Sequence, residues 1–245
     1  MKLGLNNNLV TPNVAAAGAA FSLTDISGLQ AWYKFDTNIT LNGSNVSEWG
    51  DSSGNSNDLT QTTASKQPAY NSGDVHFDET DDRMVMDTEL TLTASSGFTV
   101  FAVISTDSTS TGNQTLFSGS GDGNGKNFFR YDTTLWRFRP SSGSTSQQTI
   151  NHTLTNGEKF LITIIGTDSS GSLNFAVRDN GSAIGNATCA AASGSDTFKL
   201  DRIADHNETN QLWDGKISEF AVYNTNLTGA DLTNVENDLI TRHGL

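Results

Sequence analysis

The chain has 245 residues and a formal net charge of −13, from 14 Lys+Arg against 27 Asp+Glu, with no run of basic residues along it. Sequence-independent binding to nucleic-acid phosphates or to anionic lipid is thereby disfavoured, and no apolar stretch reaches the length of a membrane span. With Cys189 as the single cysteine, neither an intrachain disulfide nor a cysteine-based zinc site can form, and the thiol is expected to serve as a small buried apolar residue.

Apolar residues make up 35% and charged residues 17%, so the bulk is Ser, Thr, Asn and Gly around short apolar runs, which suits strands joined by polar turns in one all-β domain. Residues 1–20 read as an extended N-terminal arm, with Asn6-Asn7-Asn8 and Pro12 breaking the apolar run that a signal peptide needs. The domain proper is expected over residues 21–245. A first strand falls at residues 29–35, followed by a loop over residues 46–59 built on Asp51-Ser52-Ser53-Gly54-Asn55. Val75-His76-Phe77 and Arg83-Met84-Val85-Met86 flank an acidic turn.

The run Phe98-Thr99-Val100-Phe101-Ala102-Val103-Ile104 is apolar on both alternating faces and reads as a central strand covered on both sides, as does Phe160-Leu161-Ile162-Thr163-Ile164-Ile165. Trp136 and Phe138 alternate with Arg137 and Arg139, and Leu173, Phe175 and Val177 with polar neighbours, the mark of strands with one wet face. Asn180-Gly181 then supplies a tight hairpin turn. After a last strand at residues 217–223 the period changes. Thr228 as cap, Asp231 answering it, Leu232, Val235 and Leu239 on one stripe and Gly244 as stop predict a helix over residues 228–243.

Two blocks resemble the LamG-like, concanavalin A-like jelly-roll family. Near the start these are Leu29-Gln30-Ala31-Trp32-Tyr33-Lys34-Phe35-Asp36, Val46 to Trp49-Gly50-Asp51-Ser52-Ser53-Gly54-Asn55, and Gln67-Pro68-Ala69-Tyr70. Near the end they are Trp213-Asp214-Gly215-Lys216-Ile217-Ser218-Glu219, Tyr223-Asn224 and Leu227-Thr228 with the helix behind them. The resemblance implies a two-sheet antiparallel β-sandwich. Domains of this kind are similar to those in structural proteins of tailed bacteriophages, and the opening Met1-Lys2-Leu3-Gly4-Leu5-Asn6-Asn7-Asn8-Leu9 is similar to short leaders of such proteins.

Glucanases of the family carry Glu-x-Asp-x-x-Glu, with one carboxylate as nucleophile and another as acid. The nearest string here, Glu79-Thr80-Asp81-Asp82-Arg83-Met84, has Met in the last place, and no Gly-x-Ser-x-Gly elbow supports a serine nucleophile. The chain therefore reads as a non-enzyme without a required cofactor. Sugar binding needs an exposed aromatic ring beside hydrogen-bonding groups, which makes Trp49, Tyr131, Trp136 and Trp213 the rings to place, with Arg137 and Arg139 beside Trp136; core packing is the competing role for each ring. Asp78, Asp81 and Asp82 could offer oxygen ligands to calcium, or form a solvated turn. The glycine-rich stretch from Gly119 to Lys126 lacks phosphate-loop spacing.

The leading reading is a virion structural protein, a capsid decoration or tail-associated adhesin. Leu3, Leu5, Leu9 and Val10 of the arm would dock it to other virion proteins, and the sandwich would be displayed as a homo-oligomer, with a cell-surface polysaccharide as a partner. The alternative is a secreted or cell-surface carbohydrate-binding module.

Overall fold

A computed structural model describes residues 21–110, 112–119, 127–140, 147–189, 197–206 and 211–245. The arm residues Leu3, Leu5, Leu9 and Val10 and residues 120–126 of the glycine-rich stretch lie outside the described residues. The strands are β1 (Leu29–Tyr33), β2 (Ile39–Asn42), β3 (Asn45–Trp49), β4 (Leu59–Thr60), β5 (Ala69–Asn71), β6 (Asp74–Asp78), β7 (Met84–Thr93), β8 (Phe98–Thr106) and β9 (Gln114–Gly119). They continue with β10 (Asn127–Asp132), β11 (Leu135–Arg139), β12 (Gln148–Asn151), β13 (Lys159–Ser169), β14 (Ser172–Asp179), β15 (Ser182–Cys189), β16 (Thr197–Ile203) and β17 (Asp214–Tyr223), and the helix α1 spans Gly229–His243.

One layer runs β1-β17-β8-β13-β14-β15, with β6 beside the first half of β17; the other runs β4-β7-β16-β9-β10-β11-β12. Every described pairing between them is antiparallel. The expectation of two separate sheets needs correction. Strand β3 pairs with β2, β4 and β5, and β5 with β6, so the ladder passes from one layer into the other and forms a single 17-stranded, nearly closed network. At the opposite edge β15 lies against β12, where Gly185 faces the Ile150 side chain. The loop expected over residues 46–59 is likewise shorter than the reading had it, because Val46 and Trp49 point into the core from β3 and Leu59 from β4.

Alternation explains which residues fill the space between the layers. From β8, Phe98, Val100, Ala102 and Ile104 enter the main core, and from β13, Phe160, Ile162 and Ile164. The intervening Phe101, Val103 and Leu161 enter a second cluster on the outer side, with Trp32, Ala221, Tyr223, Val235 and Leu239. This is the doubly covered strand read from the sequence, and its outer cover is α1. In β17 a bulge between Ile217 and Glu219 resets the alternation, so that Ile217 and Phe220 both face the main core although they are three residues apart. The hairpin at Asn180-Gly181 forms with both φ angles positive, 44° and 77°. Helix α1 stops at Gly244 with φ 68°, as expected, but Thr228 makes no side-chain cap bond and the box with Asp231 does not form. The helix is held instead by polar contacts to the sheet: ion pairs of Arg178 with Glu236 at 2.7 Å and of Arg242 with Glu219, and a hydrogen bond between His243 and Glu219 at 2.8 Å.

Candidate binding face

The β10–β11 hairpin separates the residues that the sequence had grouped. Neighbouring residues of a strand point to opposite faces, and the register pairs Tyr131 with Trp136, Arg130 with Arg137, Phe129 with Phe138 and Phe128 with Arg139. Tyr131 and Trp136 turn inward and are 0% exposed, with Trp136 stacked on Phe129 at 4.7 Å. Trp49 and Trp213 are also 0% exposed. These four rings are core, the competing role read for them, and none offers a face to a sugar, so Trp49, Tyr131 and Trp136 leave the set of binding candidates.

Arg137 and Arg139 turn outward, and the structure adds Arg130 beside them. Across the outer face Thr115 of β9, Arg130 of β10, Arg137 of β11 and Thr149 of β12 form one row. A second row runs Arg139, Phe128, Ser118, Arg202 and Val85. Arg130, Arg137, Arg139 and Arg202, which form no run in the sequence, are thus brought to one face by the strand order. Arg130 is 8% exposed, lies over the Phe128 ring at 4.3 Å and donates from Nη1 to Gln211 Oε1 at 2.7 Å. Gln211 Oε1 lies 2.7 Å from His206 Nδ1, and the Gln211 backbone carbonyl accepts from Thr115 N–H at 3.3 Å, so this residue lies against β9 and β10. Arg137 pairs with Asp132 at 2.7 Å. Burial first, then the charges of Arg137 and Arg139, push the Arg130 guanidinium down to about 10, against the favourable charge of Asp132. It remains a cation at neutral pH. Sequence reasoning misses Arg130 because it assigns no strand to Phe128-Phe129-Arg130-Tyr131; pairing that run with Trp136-Arg137-Phe138-Arg139 across the tight connection at residues 133–134 is the available signal.

The oxygen-rich loop after β3 is consumed by its own backbone. Asp51 accepts from the N–H groups of Trp32 at 2.9 Å, Ser53 at 2.8 Å and Asn57 at 3.1 Å, and Asp58 accepts from Asp51 N–H at 2.7 Å. Asn55 and Asn57 donate to carbonyls of β1. The turn-forming role read for these residues is the one they have. Cys189 is 0% exposed and burial pushes its thiol up to about 12, which makes it inert at neutral pH.

The acidic turn is a tighter cluster. Carboxylate oxygens of Asp78, Asp81 and Asp82 lie within 4.8 Å of one another, a donor set suited to a hard cation. Asp78 and Asp82 border a small polar hollow with Asn45, Gln67 and His76. Burial first, then the charge of Asp78, pushes the Asp82 carboxyl up to about 7, although it accepts the Asp78 N–H at 3.2 Å. The folded chain therefore holds this proton more tightly than the unfolded one. The contribution is fully present below the ordinary value of 3.8 and is lost as pH rises towards about 7. Allowing for screening at the rim, it is worth about 2 kcal/mol. In calcium-free buffer with chelator, Asp82→Asn is expected to raise Tm by roughly 4–8 °C at pH 8 and to leave it nearly unchanged at pH 4; thermal melts at the two pH values check this, and an equal effect at both would refute the assignment.

A profile of the concanavalin A-like lectin/glucanases superfamily, Laminin_G_3, matches residues 77–233, more than half of the chain. A search of curated proteins finds no match. Among solved structures, Trypanosoma rangeli sialidase in complex with 2,3-difluorosialic acid superposes with a TM-score of 0.63 at 14% identity, over 94% of this chain and 36% of that one. The binding domain of Paraclostridial Mosquitocidal Protein 1 gives 0.59 at 13%, over 89% and 53%. The botulinum neurotoxin serotype D ligand binding domain in complex with N-acetylneuraminic acid gives 0.60 at 15%, over 88% and 52%. The chain spans between about a third and a half of these proteins, and at such identities the likeness is one of fold. With the antiparallel ladder, the helix-backed layer and the profile in agreement, the chain belongs to the concanavalin A-like lectin/glucanases superfamily.

Proposed function

We propose that this is a non-catalytic recognition domain that binds glycan through the outer face of β9, β10, β11 and β16. The observation that carries the reading is the asymmetry of the two layers. Helix α1 seals the outer side of β1, β17, β8 and β13 with apolar contacts, whereas β9 to β11 and β16 present charged and hydroxyl side chains on theirs. A lectin-like fold with one sealed side and one polar side is suited to adhesion. The solved structures with sialic acid compounds belong to proteins of which this chain matches only part, and they support the reading at the level of fold. A hydrolase is disfavoured because Met84, which stands where a second carboxylate would be needed, is 0% exposed in the core.

The domain would be displayed on a bacteriophage particle as a capsid decoration or tail-associated protein, in several copies, with the arm residues 1–20 attaching it to other virion proteins. The opening residues and the architecture support this part of the proposal. Calcium at Asp78, Asp81 and Asp82 is a further part of it. The alternative of a secreted or cell-surface carbohydrate-binding module uses the same face without the particle. Mass spectrometry of gradient-purified particles, together with a glycan array, separates the two. A fixed, high copy number in particles is the expected result; absence from particles with retained array binding would leave the carbohydrate-binding module.

A further inference from the structure

We propose that Arg130, Arg137 and Arg139 form a site for an oxyanion carried by an acidic polysaccharide, either the carboxylate of a uronic sugar or a sulfate ester. The inference rests on the glycan-binding reading and adds the chemical class of the ligand.

Directly opposed side chains on antiparallel strands start about 5 Å apart and diagonal neighbours about 7 Å apart. The three guanidinium groups are thus gathered on two adjoining strands, with Arg130 opposite Arg137 and Arg139 one diagonal away. Like charges so placed repel, and the chain as a whole, at −13, has an excess of carboxylates with which it could have neutralised them. At Arg130 it has not. The partner of its Nη1 is the neutral Gln211, its second contact is the Phe128 ring, and of the charges that bear on it two are cationic, Arg137 and Arg139, and one anionic, Asp132.

Three of the eight orphaned buried polar atoms among the described residues point the same way. Arg130 Nε, Arg137 Nε and Thr115 Oγ1 are buried without a hydrogen-bond partner among the described residues, and all three belong to one row across the face. Three unsatisfied polar atoms in one row are a cost that a folded core seldom carries. Arg130 is the floor of the site, at 8% exposure, and supplies charge from beneath; Arg137, whose side chain is 29% exposed, and Arg139, half-buried, are the arms that reach the ligand. A guanidinium presents two parallel N–H donors that match the two oxygens of a carboxylate or sulfate. The burial of Arg130 keeps its charge from being screened by salt as fully as a surface lysine would be.

The test uses the full chain with three polymers: oligogalacturonate for carboxylate, dextran sulfate for sulfate ester, and plain dextran as the neutral control. Calorimetry is expected to show binding to one or both acidic polymers and none to dextran; binding to one identifies its group, and binding to both shows that the site accepts either oxyanion. Binding should weaken as NaCl rises from about 20 to 300 mM. Arg137→Gln/Arg139→Gln, which leaves the buried Arg130 in place, should lose at least about tenfold in affinity with an unchanged melting curve. As a direct readout, inorganic sulfate should shift the arginine Nε–H resonances of Arg130 and Arg137. Undiminished binding of acidic polymers by the double variant, or unshifted arginine signals at saturating sulfate, would overturn the site. Its failure and that of the wider reading remain distinct. Neutral glycans bound equally by wild type and double variant keep glycan binding and remove the anion site. Sulfate-shifted arginines with no glycan bound keep the anion site and remove glycan binding.

Discussion

Glu219→Ala is expected to lower the free energy of unfolding by about 3–5 kcal/mol, and to bring Tm down by roughly 6–20 °C for a domain of this size. Glu219 is 1% exposed beneath α1, on the outer side of β17. It accepts Trp32 Nε1–H at 2.6 Å, is paired with His243 Nε2 at 2.8 Å and accepts from Arg242, which also bonds Asp238. Removing the carboxylate leaves three donors facing a hole, two of them able to carry positive charge, with the Trp32 and His243 rings shut off from solvent and only Arg242 partly exposed. That asymmetry makes breaking a buried pair far more costly than the net value of the pair itself. Burial by itself would raise the Glu219 pKa, but the bonds from His243, Arg242 and Trp32 outweigh it and hold the carboxyl below its ordinary 4.5. The sign follows: the stabilisation is complete above about 4.5 and is lost as pH falls through the lower folded-state value. Glu219→Gln keeps the shape and the Trp32 bond and should cost less than Ala. Guanidinium titrations followed by circular dichroism at pH 7 measure both; a loss under about 1 kcal/mol for Ala would mean that the cluster does not anchor the helix.

The same cluster marks where reading the sequence stops. Local period alone located β8, β13, the β14–β15 hairpin and α1, because those elements are decided by residues a few places apart. The apolar stripe of α1 was legible as Val235 and Leu239, but the sequence reading of the last strand at residues 217–223 assigned Glu219 no contact with the helix, and the bulge that turns it under Arg242 and His243 has no sequence mark of its own. The binding face failed differently. Arg137 and Arg139 were found, but they were grouped with Trp136 and Tyr131 by nearness in sequence, although alternation places Trp136 and Arg137 on opposite sides of the sheet. Arg130 and Gln211 are 81 residues apart and meet only through the order of strands, which no local pattern encodes. The closed character of the ladder was hidden for a related reason: β2, β4 and β5 are two to four residues long and carry little alternation to detect.

Gly215→Ala is expected to cost about 4 kcal/mol, of which roughly 1–3 arises from backbone strain and the rest from overpacking. Gly215 has φ 144°, a region that residues with a Cβ rarely adopt. It also sits where β17 is flanked by β6 and β8, opposite Phe77 on one side and Thr106 on the other. A methyl group here would overlap the Ser105 carbonyl oxygen and approach Thr106 Cα to 2.8 Å, and both are backbone that cannot rotate away. The preceding residue leaves no slack, because the Asp214 carbonyl already accepts from Asp107 N–H at 3.0 Å and from the Thr106 hydroxyl at 3.1 Å. Relief would require the β8–β17 ladder to open at its end, next to the buried Trp213. The Trp213-Asp214-Gly215 string is thus a packing device: the indole fills the core, the aspartate backbone ties down the next loop, and the glycine lets two central strands approach. Gly43 supplies the control, since its φ of 68° is also positive but nothing lies within 4 Å of an added methyl. Gly43→Ala should cost only about 1 kcal/mol from conformation alone. Equal losses for the two variants in parallel denaturant titrations would show that φ, and not the approach of β17 to β8, sets the requirement for glycine at residue 215.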